Sequence, residues 1–267
     1  MTTLQDATLA LAKTITSVKE GTATGGSGTT LVNNLAGFHD EADDYYTGGV
    51  IWFLSGLNAG KSAHINDWDL ATFTFTFTTP GAACAAGDRY AVVPLDFPRW
   101  LLVQSVNEAL KDLGDLPATS TALVTVADQE KYDLPAGVRN VQKVEIAYAL
   151  TSPLAYYPHH NWREYNDDLL FDTDLAPEDD DYTIRLWYLA AHAELTADSG
   201  VVTPYVHVDR LRWASAVHAL RWLLRKRKGD DAYLREQLNE ALTNAEFEKR
   251  RHPIEIDIQR DPHLAKW

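Results

Sequence analysis

The chain has 267 residues, 45% of them hydrophobic and 23% charged, with one cysteine and a formal net charge of −14. That length holds one large or two modest domains with an ample core, and a lone cysteine excludes an intramolecular disulfide and a cysteine-rich metal site. So acidic a chain is poorly suited to gripping nucleic acid, because phosphate binding is driven by Lys and Arg displacing counterions.

Leu4, Ala7, Leu11, Ile15 and Val18 recur every three or four positions and predict a helix over 3–18. Residues 21–30 (GTATGGSGTT) are small, polar and glycine-rich, the texture of a flexible linker. The period then changes. Residues 50–54 are a short apolar run, and Phe73, Phe75 and Phe77 alternate with Thr72, Thr74 and Thr76 as in a half-buried strand. With segments near Leu31, at 63–65 and at 90–93, this predicts about five short strands, a separate small barrel or sandwich over 31–95.

Asp96 is placed to cap a helix over 97–113 with Leu102, Val106, Leu110 and Leu113 on its inner face. Strands follow at 122–126, 141–149, 169–172 and 182–189. Two helices then fill 204–251. The first carries Trp213, Ala216, Val217, Leu220, Leu223 and Leu224, and closes on Arg225, Lys226, Arg227, Lys228 and a capping Gly229. Asp230 and Asp231 open the second, striped by Leu234, Leu238, Ala241, Leu242 and Ala245. So short a connection makes the pair an antiparallel hairpin, with Trp213, Val217, Leu220, Leu224, Leu234, Leu238 and Leu242 as its expected seam.

The fold class is therefore α+β, since the elements are segregated rather than alternating. A helical core combines the N-terminal helix, the helix near 97–113 and the hairpin 205–250, with a projecting β insertion at 119–190. The chain divides into 1–30 (helix and linker), 31–95 (β module), 96–251 (core with insertion) and 252–267 (an extended tail). In that tail Pro253 stops the helix, and Ile254, Ile256 and Ile258 alternate with Glu255, Asp257 and Gln259, a strong strand pattern. Such a strand pairs either with a sheet of its own subunit or with the edge of a neighbour, where the three isoleucines would fill pockets and Trp267 would anchor the end.

Charge is unevenly spread: residues 205–251 carry a net +4 and residues 1–204 a net −17. Asp43 and Asp44, and Asp179, Asp180 and Asp181, are the densest acidic clusters.

The chemistry-bearing motifs are weak. Residues 56–62 (GLNAGKS) resemble a phosphate-binding loop, but Ser55 stands where the first glycine belongs and strands, not a helix, flank the segment. A calcium loop starting at Asp172 would place Ala176, Pro177 and Thr183 at its fifth, sixth and twelfth positions, which breaks that motif. His159 and His160 are adjacent rather than four apart and read as loop surface, and His207 and His218 share a helix face without a nearby acid. No Ser or Cys stands in a nucleophile context. No enzyme, metal or cofactor is expected. No apolar run is long enough to span a bilayer, and the N-terminus lacks the apolar block of a signal peptide.

Residues 99–117 (RWLLVQSVNEALKDLGDLP), 125–137 (TVADQEKYDLPAG) and 183–188 (TIRLWY), together with 207–224 and 233–245, resemble the head-to-tail adaptor, or connector, proteins of tailed double-stranded DNA bacteriophages. The GGVIWF and AAGDRY segments of the β module are similar to a module of phage virion proteins, and the simplest adaptors lack that module. The resemblance implies a virion protein made in the host bacterial cytoplasm. It also implies a ring of about twelve subunits with heterologous contacts, set beneath the portal protein, continuing the DNA channel and offering a platform to tail or nozzle proteins. The acidic clusters would then line a tube through which duplex DNA slides without tight binding, and the tail would dock on portal. The alternative is a tail-tip or adhesin component, with Trp52, Trp68 and Tyr90 forming an exposed platform for host-surface glycan. A glycan-cleaving enzyme would need two facing carboxylates.

Overall fold

The computed structural model describes residues 1–35, 39–148, 154–172, 177, 180–228 and 231–254. It is mixed α+β, with four helices among the described residues and a curled half-barrel sheet. The chain divides into two compact units. One joins Met1–Asp112 to Ala193–Pro253, and the other is built on Leu113–His192.

In the first unit, α1 (Leu4–Ile15) starts from a reciprocal capping box between Thr3 and Asp6 and buries Leu4, Ala7, Leu11 and Ile15. It stops three residues short of Val18. The expected linker at 21–30 is instead folded into strands. β1 (Lys19–Thr22), β2 (Gly25–Gly26), β3 (Thr30–Val32), β4 (Val50–Phe53), β5 (Lys61–Asp69), β6 (Thr74–Phe77) and β7 (Arg89–Val93) form one sheet in the order β1-β7-β4-β5-β6-β3-β2. The glycine at 26 is a packing requirement rather than a sign of flexibility, since a Cβ there would lie 2.5 Å from the Thr30 carbonyl oxygen and 2.9 Å from Cys84 Cβ. β5 pairs with β4 along its first half and with β6 along its second, and a register shift between Ile65 and Asp67 marks the corner.

The β region is not self-contained. Gln5 Nε2 of α1 donates to the Phe53 and Lys61 carbonyls, and Trp52 Nε1 donates to Thr8 Oγ1. Residues 195–202 form a strap that ties the remaining parts together. The Leu4 and Gln5 amides donate to the Gly200 and Asp198 carbonyls, and Asn107 of α2 (Arg99–Asp112) exchanges two hydrogen bonds with the Leu195 backbone. At its centre the Asp198 carboxylate accepts from the Ser62 amide at 2.6 Å and from Arg99 Nη2 at 2.7 Å. Arg99 Nε also donates to Ser62 Oγ at 2.8 Å. Asp96 does not cap α2. It pairs with Arg227 at 3.0 Å, while the Leu101 and Leu102 amides donate to the Pro98 carbonyl.

α3 (Val208–Lys226) packs against α1, α2 and α4 (Ala232–Arg251). Its small residues Ser215, Ala216 and Ala219 admit close neighbours beside Leu211, Leu220 and Leu223. Asp231 caps α4 by accepting the Leu234 amide. Gly229 and Asp230 lie outside the described residues, and Lys228 takes a left-handed φ of 54°. The expected seam is only partly right. Val217, Leu220 and Leu234 are buried, Trp213, Leu224 and Leu238 are half-buried, and Leu242 is exposed. α4 rests chiefly on α3 and buries a narrow line of Leu234, Ala241 and Glu248, seven residues apart, so positions on either side of that line stay open.

The second unit contains two antiparallel sheets. β8 (Asp115–Val124), β10 (Val141–Ala147), β11 (Tyr156–His159) and β14 (Thr183–Ala191) form one, in the order β11-β10-β14-β8. β9 (Lys131–Asp133), β12 (Trp162–Tyr165) and β13 (Asp168–Phe171) form the other, in the order β12-β13-β9. Both feed one core that includes Tyr132, Val144, Ile146, Trp162, Leu169 and Ile184.

Leu220→Asp is expected to cost on the order of 4 kcal/mol or more by burying an unpaired charge, whereas Leu238→Asp, at a half-buried position, should be much milder. Asp198→Ala should cost about 2–3 kcal/mol by stranding Arg99 and the Ser62 amide. Urea denaturation of the three variants checks the order.

Candidate assembly surface

The motifs that resemble sites for chemistry are occupied by structure. Lys61 Nζ donates to the Pro80 carbonyl at 2.7 Å and Ser62 is held by Asp198, so the GLNAGKS segment is a hairpin turn running into β5. Cys84 is buried, and burial pushes its thiol pKa up. His159 is not loop surface. It belongs to β11 and meets the Phe171 ring edge-on at 4.9 Å, while His160 is exposed. His207 and His218 do not act as a pair. His218 sits between Glu108 at 3.1 Å and Asp112 at 3.0 Å, acids brought from α2, whereas His207 caps α3.

The acidic clusters are built into turns. Asp43 Oδ1 accepts the Leu70 amide, Asp44 Oδ1 accepts from Thr47 Oγ1, and Asp180 Oδ1 accepts the Ala127 amide. Asp44 and Asp181 take left-handed φ angles, which aspartate tolerates better than most residues. Asp43, Asp44, Asp180 and Asp181 are all exposed. Asp179, Ile256, Ile258 and Trp267 lie outside the described residues. Ile254 is half-buried and belongs to no assigned strand.

The glycan platform does not exist in this arrangement, because Trp52, Trp68 and Tyr90 are fully buried. They are interior because their strands are covered. α1 lies over Trp52, while Trp68 and Tyr90 surround His39 together with Tyr46 and Phe75. His39 Nε2 shares a 2.6 Å hydrogen bond with the Tyr90 hydroxyl, which also accepts from Asn33 Nδ2. Glu41 approaches His39 Nδ1 at 3.5 Å and pairs with Lys19 at 2.6 Å. Desolvation among these rings pushes the His39 pKa down to about 4, and burial pushes those of Tyr46 and Tyr90 up.

In the second unit the equivalent polar centre is Glu145. Burial raises its pKa, but hydrogen bonds from Lys143, Trp187 and Arg185 outweigh that and hold it below the ordinary carboxylate range. Arg185 also lies 3.8 Å from the Tyr156 ring centroid.

What the first unit presents outward is an aromatic and cationic end. Trp100 stands edge-on to Trp222 at 5.2 Å, Lys226 lies 5.1 Å from the Trp222 ring, and Leu95, Trp100 and Tyr233 are exposed. An open cleft of about 340 Å³ beside Tyr233 is lined by Thr14, Asp96, Phe97, Leu223, Arg227 and Leu234 among others. Arg227 bridges Asp96 and Asp231, which raises its pKa, while the Leu234 amide and then Arg227 lower that of Asp231. Exposed Trp, Tyr and Arg around a cleft are the composition of protein interfaces rather than of solvated surface. The sequence pattern does not show this end, because Trp100 and Trp222 fall outside the apolar stripes of their helices and nothing local to either says that the two rings meet. No helix among the described residues is long and apolar enough to cross a membrane.

A family model described as SU10 adaptor protein matches residues 81–262, well over half of the chain. Compared with curated proteins, the chain matches none.

Because His39 ordinarily titrates near 6.5 and is held near 4 here, only the unfolded chain takes up its proton between those values. Stability from this group is complete above about pH 6.5 and falls toward pH 4, by up to about 1.4 kcal/mol per pH unit. Urea titrations at pH 7.5, 6 and 5 should show that loss in the parent chain and a flatter profile in His39→Gln.

Proposed function

The chain belongs to the SU10 adaptor protein family, whose members are phage structural adaptors, and from that premise we propose that it is a head-to-tail adaptor. In this reading it is a non-catalytic virion protein of the neck. It assembles as a ring beneath the portal, extends the DNA channel and provides the platform on which tail or nozzle proteins attach. The observation that carries the reading is the family match, which runs from the last strand of the first unit's sheet through the whole second unit to the hairpin and tail.

Two features support it. Ring closure needs two different faces on each subunit. The exposed Trp100 and Tyr233 and the half-buried Trp222, with Arg225, Lys226 and Arg227 beside them, supply one face that is aromatic and cationic. The strongly acidic remainder of the chain supplies a complementary charge. The exposed Asp43, Asp44, Asp180 and Asp181 are suited to a wall that repels phosphate, so DNA passes without adhering. The isoleucine pattern beyond Pro253 is suited to adding a strand to a portal subunit.

The test is assembly. Purified protein, alone and mixed with its portal, is to be followed by analytical ultracentrifugation and negative-stain microscopy. Trp100→Ala with Tyr233→Ala is expected to leave the circular dichroism spectrum unchanged and to abolish rings or portal complexes. Removal of residues 253–267 should leave the subunit folded and weaken portal binding at least tenfold. Unchanged assembly in both variants would overturn the proposed faces, and a monomer that ignores portal would overturn the adaptor role.

A further inference from the structure

The two ends of the hairpin meet at a cluster of groups that the adaptor role does not use. His207 is the N-cap of α3 and Asp209 lies in its first turn, while His252 caps the far end of α4. One donor atom from each of the three lies within 4.8 Å of the others. The two imidazoles stack face to face, with centroids 3.6 Å apart and planes inclined by 7°. Asp209 Oδ2 is 3.6 Å from His207 Nδ1, and Arg212 engages the other oxygen, Oδ1, at 3.2 Å. Arg210 Nη1 donates to the His252 carbonyl at 2.9 Å and so fixes the backbone of α4's end against α3's beginning.

Behind His252 stands Glu248. Its side chain is only 9% exposed, and its Oε2, buried and without a hydrogen-bond partner, is 3.4 Å from His252 Nε2. A buried carboxylate oxygen with no donor is costly, and native proteins seldom leave one so. The oxygen is placed for the arrangement that metal-binding histidines require, and a small turn of the His252 ring would complete it. A carboxylate accepts one ring N–H, which fixes the tautomer and leaves the other nitrogen's lone pair for the ion.

We propose that His207, Asp209 and His252 bind a divalent transition-metal ion, with Glu248 orienting His252 from behind. Two imidazoles and a carboxylate suit zinc, nickel, cobalt or copper and not calcium or magnesium, which take oxygen ligands. Three protein donors leave a fourth position for water or for a side chain of a partner. Binding turns the stacked rings apart, because their in-plane lone pairs run parallel in the stack and must converge on one ion. It also exchanges the His207 Nδ1 cap on the Asp209 amide, a 3.2 Å contact, for ligation across two helices. The ion would staple the start of α3 to the end of α4, next to Pro253.

The test uses the tag-free full-length chain after EDTA and dialysis, with isothermal titration calorimetry and thermal melting in zinc, nickel, magnesium and calcium chlorides. One equivalent of zinc or nickel should bind and raise the melting temperature, with no response to magnesium or calcium. His207→Asn keeps a capping side chain, and it and His252→Gln should each weaken zinc binding at least tenfold with the fold unchanged by circular dichroism. Glu248→Gln should weaken it about 10-fold. Cobalt should give the visible absorption of a four-coordinate site in the parent and not in the double histidine variant. Absence of binding, equal binding of calcium, or zinc binding unchanged in the double variant would each overturn the site. None of these outcomes bears on ring assembly.

Discussion

The first unit depends on the Asp198 carboxylate. It reaches the Ser62 amide at the start of β5 and the Arg99 guanidinium at the start of α2. The same short strap receives the first amides of α1 and holds Asn107. Sheet, N-terminal helix and second helix therefore share one polar anchor, only 16% exposed at Asp198. Charge-assisted hydrogen bonds in such a setting are stronger than neutral ones and fix geometry as well as energy. The hydrophobic faces of α1, α2 and β4 would tolerate some sliding. The anchor selects one register among those that would bury similar area.

Much of this was legible in the sequence where one face of an element alternates cleanly. The strand at 74–77, the helix at 99–112 and the two hairpin helices announced themselves by period, and the strand at 50–53 by its unbroken apolar run. Reading failed where a glycine answers a distant neighbour. The 21–30 segment looks like a linker because the atoms that forbid a side chain at Gly26 belong to Thr30 across the β2–β3 turn and to Cys84 in a distant loop. It failed again on α4, whose leucines at 238 and 242 fit a broad apolar face. The helix in fact leans chiefly on one partner and buries a line only one residue wide. The Asp198 anchor and the His207–Asp209–His252 cluster were invisible for a common reason: each joins residues far apart in the chain that carry no local pattern.

That narrow line sets the character of α4. A 20-residue helix with Tyr233, Leu242 and Phe247 exposed gains little from its own unit beyond the Leu234 and Ala241 contacts. Its ends are therefore important. Asp231 caps one through the Leu234 amide, and Glu248, Arg251 and His252 gather at the other. Helices held at their termini and lightly along their length are drawn from the low-stability end of a structure. Such a helix gains most when a second surface arrives.

The discontinuity of the first unit bears on the order in which a ribosome delivers the pieces. Residues through Asp112 emerge first, yet their anchor lies at Asp198 and the helix they pack around begins at Val208. The segment Leu113–His192, which carries the second unit's described strands, is in the nascent chain before either has been synthesised. Domains tend to fold as they emerge. Here the strands of the second unit are free to pair while the amino-terminal half is still waiting for its strap, with the apolar faces of α1 and α2 uncovered. The protein is finished from its middle outward, and the interval before Asp198 arrives is when it is most exposed to aggregation.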